Sequence, residues 1–267
     1  MSFNEALLEI KRGGVIESTH IGSIAIVDSQ GTLLHSIGDP NTVAFLRSSA
    51  KPFQVLPFVE RGGVEHFGFT PRELALSCAS HETAQIHLDA VAALQAKVGI
   101  QESDLQCGPH LPSDAAMLRL TIKNDLRPTA NFNNCSGKHT AMLAHAKMRG
   151  LPLDSYLSND HPIQRDILAA FSEMCGLSPE AVSLGVDGCS APNFAVPLHN
   201  SALARARLCD PRGLGEARAA GVPLLEMDDP DRFASLFQPV NRADVLHLNA
   251  RGAVEFTRLL AREFVGA

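Results

Sequence analysis

The sequence predicts an α+β fold in which a mostly antiparallel sheet packs with helices. Strand-like segments come first, because β-branched and apolar residues fill much of the first forty positions. Helix signals then dominate from about residue 70 to residue 176, and one more strand candidate follows at 182–186. Strands and helices are therefore segregated along the chain, which disfavours a regular βαβ winding.

The N-terminal strands are predicted to form a hairpin at the edge of the sheet. Residues 15–18 and 22–27 are rich in β-branched and apolar side chains. The turn sequence Asp-Ser-Gln-Gly at 28–31 separates them from a third strand candidate at 32–37. Aspartate and glycine favour a turn there, because aspartate bonds to nearby backbone and glycine adopts positive φ.

The clearest helix start is at Thr70. Its hydroxyl can cap the helix, Pro71 suits the first helical position, and Glu73 completes a capping box. A longer helix is predicted at 83–97, where apolar residues recur at helical spacing and Gly99 ends it. Further helices are predicted at 138–149, 161–175, 198–208 and 253–264.

The composition is typical of a globular protein that acts on small polar molecules. The 267 residues are 45% hydrophobic and 19% charged, so the chain can bury a large core without disulfides. The formal net charge of -6 provides no basic stripe for a phosphate backbone and argues against nucleic acid as a partner. Because the sequence has no Trp and one Tyr, a stacking surface for planar ligands is not expected.

Cysteine usage and hydropathy favour the cytoplasm. The six cysteines form no C-x-x-C pair, and the N-terminus lacks the basic-then-apolar pattern of a signal peptide. No apolar run approaches the roughly 18–20 residues of a membrane span. We therefore expect a cytoplasmic protein with no membrane partner, whose cysteines are buried thiols or metal ligands.

The sharpest chemical motif is the S-x-x-K pair formed by Ser48 and Lys51. Three-residue spacing places both side chains on one face of a helical turn, and Pro52 places that turn at a helix start. The positive end of a helix favours a neutral amine, which can take the serine proton for acyl transfer. The alternative is a capping serine followed by a solvated lysine.

Three further polar segments are candidate site loops: 77–83, 131–139 and 186–193. In the first, Ser80 and Glu82 are also compatible with a simple helix N-cap. In the second, small polar residues precede a helix start and can form an anion-binding nest. Cys135 and Cys189 can equally be buried small hydrophobes, since no C-x-x-C or H-x-x-x-H spacing supports a zinc site.

Four motifs in this order resemble those of a known enzyme family. They are RSSAKP at 47–52, CASH at 78–81, NNCSGKH at 133–139 and DGCSAP at 187–192. Together they resemble the Rhizobium etli-type L-asparaginases, the asparaginase II family that looks like serine β-lactamases. The resemblance runs from about Gly14 to Leu208 and implies a fold like that of serine β-lactamases and penicillin-binding proteins.

The resemblance implies hydrolysis of the L-asparagine side-chain amide to L-aspartate and ammonia. Ser48 would be the nucleophile, Lys51 its general base, and Ser80 part of a second serine–lysine relay. A zinc ion held by Cys135, Lys138 and Cys189 would tune substrate binding rather than activate water. Arg47, His139 and Asp187 would shape the pocket for the substrate ammonium and carboxylate, and a homodimer is implied.

The chain departs from the family pattern in its C-terminal part. The second relay of the family uses a lysine in the C-terminal third, whereas no lysine follows Lys147 here. The resemblance thus implies a single domain over 1–267 that is atypical or truncated from about residue 210. Either Ser80 works through another partner, or the chain is a truncated, frameshifted or weakened relative, such as an amino-acid-binding protein that lacks the second relay. A β-lactamase or peptidase is disfavoured because the S-D-N and K-T-G strings are absent.

Overall fold

Strands occupy the beginning of the chain, as predicted. A computed structural model describes residues 4–28 and 30–209. The strands are β1 (Glu5–Arg12), β2 (Val15–Gly22), β3 (Ile24–Val27), β4 (Leu33–Ile37), β5 (Val43–Phe45), β6 (Ser183–Val186) and β7 (Pro192–Pro197). The helices are α1 (Lys51–Glu60), α2 (Gly63–Phe67), α3 (Pro71–Ser77), α4 (Gln85–Val98), α5 (Ala115–Lys123), α6 (Ser136–Met148), α7 (Pro162–Cys175) and α8 (Leu198–Cys209). The α+β prediction is confirmed.

Within the described residues the strands form three small antiparallel sheets instead of one. β1 pairs with β2, β3 pairs with β4, and β7 lies between β5 and β6. The predicted hairpin is the β3–β4 pair, whose turn is held by the Asp28 carboxylate accepting the Gln30 and Thr32 N–H groups. Among the residues described, this hairpin is a two-stranded sheet by itself and not the edge of a larger one.

The helices with clear start signals lie where the sequence places them. Thr70 and Glu73 form the predicted capping box at the start of α3. α4 ends at Gly99, whose φ of +70° is the left-handed conformation expected of a C-terminal glycine. α7 begins at Pro162 after the N-cap His161. The helix predicted at 253–264 and the atypical part from about 210 lie outside the described residues.

The core forms where α1, α3, α4 and α7 pack around α6. Every residue of α6 from Ser136 to Ala146 is buried, including charged and polar ones. At Gly137 a Cβ would lie 2.6 Å from the carbonyl oxygen of Leu76 in α3, so only glycine permits this approach. The contact fixes the start of α6 against the end of α3, where the 78–83 loop begins.

None of the helices in the described part of the chain combines the length and apolar character needed to cross a bilayer. Residues 1–206 form one compact unit. All residues of the candidate site belong to that unit.

Candidate active site

Lys51 is the first residue of α1, and its side chain runs into the protein interior. It is 1% exposed. Its Nζ lies 2.7 Å from Ser80 Oγ, 2.9 Å from the Ala79 carbonyl oxygen and 3.2 Å from the Asn134 carbonyl oxygen. Burial lowers the pKa of Lys51, against the opposing effect of the Cys135 thiol. Among the residues that the structure describes, Lys51 is therefore the hydrogen-bond partner of the Ser80 hydroxyl.

The three contacts of Lys51 suit an ammonium, which would donate to all three oxygens, and they also suit a neutral amine. The two carbonyl oxygens can only accept, so they take two N–H bonds from the nitrogen. A neutral amine then keeps one lone pair, and the remaining neighbour, the Ser80 hydroxyl, can donate to it. Ser80 is exposed while the amine behind it is buried. An accessible hydroxyl on a buried base is the arrangement of an activated nucleophile.

Ser48 lies in a 3-10 turn, Arg47–Ala50, immediately before α1 rather than within its first turn. Its side chain is exposed, and its carbonyl oxygen accepts the backbone N–H of Lys51. In the described part of the structure, the hydrogen bonds of Lys51 Nζ go to other groups than Ser48. In this part of the chain, the expected sharing of one face therefore does not produce a hydrogen bond between the two side chains.

Arg47 and Asp187 form an ion pair beside this turn. Arg47 Nη2 lies 3.0 Å from Asp187 Oδ1, and the Asp187 side chain is much less exposed than that of Arg47, at 11% against 64%. Arg47 has φ of +53°, which a residue with a Cβ rarely adopts. The strain occurs at the residue directly before Ser48, as is common near functional sites.

The Ser80 loop is held against α6 by His81. The backbone N–H of His81 donates to the Asn134 carbonyl oxygen, and the ring Nδ1 accepts the backbone N–H of Thr83 at 3.2 Å. Because Nδ1 accepts, the proton is on Nε2, which donates to Ser136 Oγ at 2.7 Å. Burial lowers the pKa of His81 to about 4 and keeps the ring neutral.

Simple capping by Ser80 is not observed. The N-cap of α4 is Ala84, with no side-chain cap. The hydroxyl of Ser80 instead meets the Lys51 amine. The sequence alone assigns no role to His81. The only signal for one is that this histidine directly follows Ser80.

A second cluster joins the start of α6 to the loop between β6 and β7. Lys138 Nζ lies 3.2 Å from Cys189 Sγ, and Lys138 is 1% exposed. The hydrogen bond with Cys135 lowers the pKa of the Cys189 thiol, against the effect of burial, and His139 and Lys138 lower it further. The same hydrogen bond raises the pKa of Cys135. The structure thus brings together all three predicted metal ligands.

The donor set of this cluster fits zinc. Two thiols and one buried amine supply sulfur and nitrogen donors, which zinc prefers over oxygen alone. Among the described residues, no group of three or more His, Cys, Asp or Glu could hold a metal. A metal site here would need Lys138 as its third donor, and an amine binds a metal only when it is neutral.

His139 is fully buried and contacts Tyr156. Its Nδ1 is 2.6 Å from the Tyr156 hydroxyl, and the two rings meet edge to face. Burial lowers the pKa of His139. The ring also has a hydrogen bond with the Cys189 side chain, which opposes the effect of burial on the pKa. Tyr156 is a residue that sequence reasoning missed, because it lies outside the four motifs.

Comparison with known proteins adds one finding. A family profile described as L-asparaginase II matches residues 8–224. The match includes all four motifs and both clusters described above. A search of curated proteins finds no significant match.

Proposed function

Because the chain belongs to the L-asparaginase II family, we propose that it hydrolyses the side-chain amide of L-asparagine to L-aspartate and ammonia by a serine–lysine mechanism. The observation that carries the mechanism is the 2.7 Å contact between the buried Lys51 amine and the exposed Ser80 hydroxyl. It supplies both parts of an acyl-transfer centre, a base and a hydroxyl within reach of it.

In the proposed reaction, neutral Lys51 accepts the serine proton while the serine oxygen attacks the amide carbon of the substrate. The tetrahedral adduct collapses as the Lys51 ammonium returns its proton to the leaving nitrogen. Ammonia departs and an aspartyl ester remains on the enzyme. Water then gives a proton to the same amine and attacks the ester, and the proton goes to the serine oxygen as L-aspartate leaves.

Two hydroxyls are candidates for the nucleophile. The resemblance implies Ser48, whose side chain is exposed at the strained turn. The geometry supports Ser80, because that hydroxyl alone of the two lies within hydrogen-bond distance of Lys51 in the described structure. The alternative assignment has Ser48 as the nucleophile and Ser80 in a second relay.

Substrate recognition is proposed to use the Arg47–Asp187 pair. L-asparagine carries an α-carboxylate and an α-ammonium, which match a guanidinium and a carboxylate. The two side chains satisfy each other when they lie 3.0 Å apart. Bound substrate would replace the Arg47–Asp187 ion pair with two ion pairs, one between Arg47 and its carboxylate and one between Asp187 and its ammonium. His139 would offer a further polar contact.

The zinc proposal concerns Cys135, Lys138 and Cys189. A bound zinc ion would add positive charge beside the substrate pocket and tune substrate binding rather than activate water. The protein's own contribution is to bury the three donors around the start of α6. A link to the Rhizobium etli type, a β-lactamase-like fold, a homodimer and a cytoplasmic location are further proposals from the resemblance and composition.

The experiment that tests the function is ammonia release by the purified full chain, with L-asparagine, with L-glutamine and without substrate. Release from L-asparagine supports the proposal. A protein that gains thermal stability with L-aspartate and releases no ammonia would instead be the weakened amino-acid-binding relative. The Lys51–Ser80 contact favours the enzyme, since it provides Ser80 with a lysine.

A further inference from the structure

Gln54 lies three residues after Lys51 in α1 and is buried, at 4% exposed. Its side-chain Nε2 donates to the backbone carbonyl oxygen of Pro192, the first residue of β7, at 2.9 Å. We infer that Gln54 is a positioning residue of the proposed asparaginase site, whose amide occupies this carbonyl and thereby keeps the Arg47–Ala50 turn from joining β7 as an added length of strand. The inference rests on the proposed function only for its kinetic consequence.

The antiparallel pairing of β5 with β7 shows which group would otherwise bond to the Pro192 carbonyl oxygen. One residue beyond β5, the Leu46 N–H still donates to the Phe194 carbonyl oxygen at 2.9 Å. Hydrogen bonds of an antiparallel ladder recur at every second residue. The Pro192 carbonyl therefore points to the same side as that of Phe194, and a longer β5 would next bring the Ser48 N–H to it.

The chain leaves the ladder instead. The Leu46 carbonyl oxygen accepts the Ser49 N–H at 3.1 Å, and the Phe194 N–H donates to the side chain of the residue before it, at 2.8 Å. Arg47 then turns with φ of +53°, and Ser48 enters the 3-10 turn. A strand conformation would relieve the strained φ of Arg47, so the turn persists only because other contacts outweigh that strain.

The Gln54 amide is such a contact. Pro192 is buried, and a buried carbonyl oxygen without a donor is costly. Without Gln54, extending the ladder to Ser48 would both supply that donor and relax Arg47. With Gln54 in place the carbonyl is already satisfied, so the extended strand gains no hydrogen bond there. The side chain of α1 thus stands in for the backbone of β5.

The position of the turn determines the position of the proposed base. Lys51 directly follows the turn as the first residue of α1. Converting the turn into strand would move the start of α1, and the Lys51 amine would leave Ser80 Oγ, from which it now lies 2.7 Å away. Gln54 therefore acts through Lys51 and not on the substrate. Its effect is the same whichever serine is the nucleophile, since both assignments use Lys51 as the base.

The direct test is hydrogen exchange, measured by mass spectrometry on the full chain. Gln54→Met keeps the side-chain volume and removes the donor. Asn200→Leu is the matched control, because Asn200 is also buried and its Nδ2 donates to the Cys175 carbonyl oxygen at 2.9 Å. Peptides covering residues 46–50 are expected to exchange at least about threefold more slowly in Gln54→Met than in wild type, because the Ser48 N–H joins the ladder.

Asn200→Leu is expected to exchange over residues 46–50 at the wild-type rate. Equal exchange in the two variants, or faster exchange in Gln54→Met, would overturn the inference. Gln54→Leu gives the same comparison if Gln54→Met does not fold. None of these measurements needs activity, so they decide whether Gln54 holds the turn even if the wild-type chain releases no ammonia and the proposed function fails.

The kinetic test uses ammonia release by the same proteins. Gln54→Met is expected to lower kcat for L-asparagine roughly tenfold, because Lys51 is displaced from the Ser80 hydroxyl. Asn200→Leu is expected to leave kcat unchanged. Equal losses of kcat in the two variants would show a merely structural role for Gln54. Slower exchange with wild-type kcat in Gln54→Met would show that the turn does not position Lys51.

Discussion

The Nζ of Lys51 lies 2.7 Å from the Oγ of Ser80, although the two residues are 29 positions apart in the sequence. The amine is buried, the hydroxyl is exposed, and two carbonyl oxygens hold the nitrogen in place. The contact exists because α1, α3 and α6 pack against one another, so the S-x-x-K motif delivers its lysine to a different serine from the one beside it in sequence.

The first prediction separates the two serines. Ser80→Ala and Lys51→Met are each expected to lower kcat by about three orders of magnitude, because each removes one partner of the proton transfer. Methionine keeps the volume of the buried lysine. Lys147→Met is the matched control, since Lys147 also donates to a carbonyl, that of Gly99, on an exposed surface.

Mass spectrometry of protein quenched during turnover completes this test. The aspartyl ester is expected on a peptide containing Ser80. An ester on Ser48, together with inactivity of Ser48→Ala, would instead support the nucleophile implied by the resemblance. Full activity of Lys51→Met would rule out a mechanism in which Lys51 is the base.

Much of the fold could be predicted because the signals were local. The capping box of Thr70 and Glu73, the terminal Gly99 and the initial Pro162 each fix a helix end through contacts within a few residues. α5 was missed, although Asp114 caps it by accepting the Met117 N–H. β7 was also missed, because a continuous buried run has no alternation to mark it as a strand.

The site was predictable as a set of residues and not as a set of contacts. Two of the four motifs contain Cys135, Lys138 and Cys189, and the structure brings these residues together. The pairing of Ser80 with Lys51 and of His139 with Tyr156 depends on packing between distant segments. Sequence spacing contains no information on that packing, and it indicated only that Ser48 and Lys51 share one face of a turn.

The second prediction concerns the Arg47–Asp187 pair. Asp187→Asn is expected to raise KM for L-asparagine by roughly tenfold or more, because the substrate ammonium loses its carboxylate. Asparagine keeps the shape of the carboxylate, and the Arg47 end of the pair is 64% exposed, so the free energy of unfolding should change by less than about 1 kcal/mol. Asp160→Asn, which breaks the exposed Arg165–Asp160 pair, is the control and should leave KM unchanged.

The third prediction concerns zinc. Cys135→Ser and Cys189→Ser are each expected to lower the zinc content of the purified protein and to raise KM more than they reduce kcat. The reason is that a serine oxygen is a poorer zinc ligand than a thiolate. Metal analysis and steady-state kinetics measure both effects. Cys175→Ser, at a fully buried cysteine of α7, is the control, and one zinc per chain in all three variants would contradict the ligand set.

The fourth prediction concerns acid stability. His145 is 1% exposed, and burial lowers its pKa to about 4, against the attraction of Asp166. Between pH 6.5 and about 4 the unfolded chain binds a proton that the folded protein does not, so stability falls as pH falls. This histidine should contribute up to about 1.4 kcal/mol per pH unit in that window.

Urea unfolding at several pH values measures the effect of His145. His145→Gln should reduce the loss of stability on acidification, because glutamine does not titrate. His66→Gln, at an exposed histidine, should leave it unchanged. An equal acid sensitivity of wild type and His145→Gln would assign the loss to other groups, among them His81.

The fifth prediction concerns the contact that fixes the Ser80 loop. In an open helix, replacing Gly137 by alanine would stabilise the protein by about 1 kcal/mol. Here the added Cβ would lie 2.6 Å from the Leu76 carbonyl oxygen, which is backbone and cannot rotate away. Gly137→Ala is therefore expected to lower the free energy of unfolding and to push α3 away from α6. Because α3 ends at Ser77, the shift would carry Ser80 away from Lys51, so kcat should fall along with the melting temperature. A Gly137→Ala protein more stable than wild type and equally active would show that the two helices do not approach as closely as described.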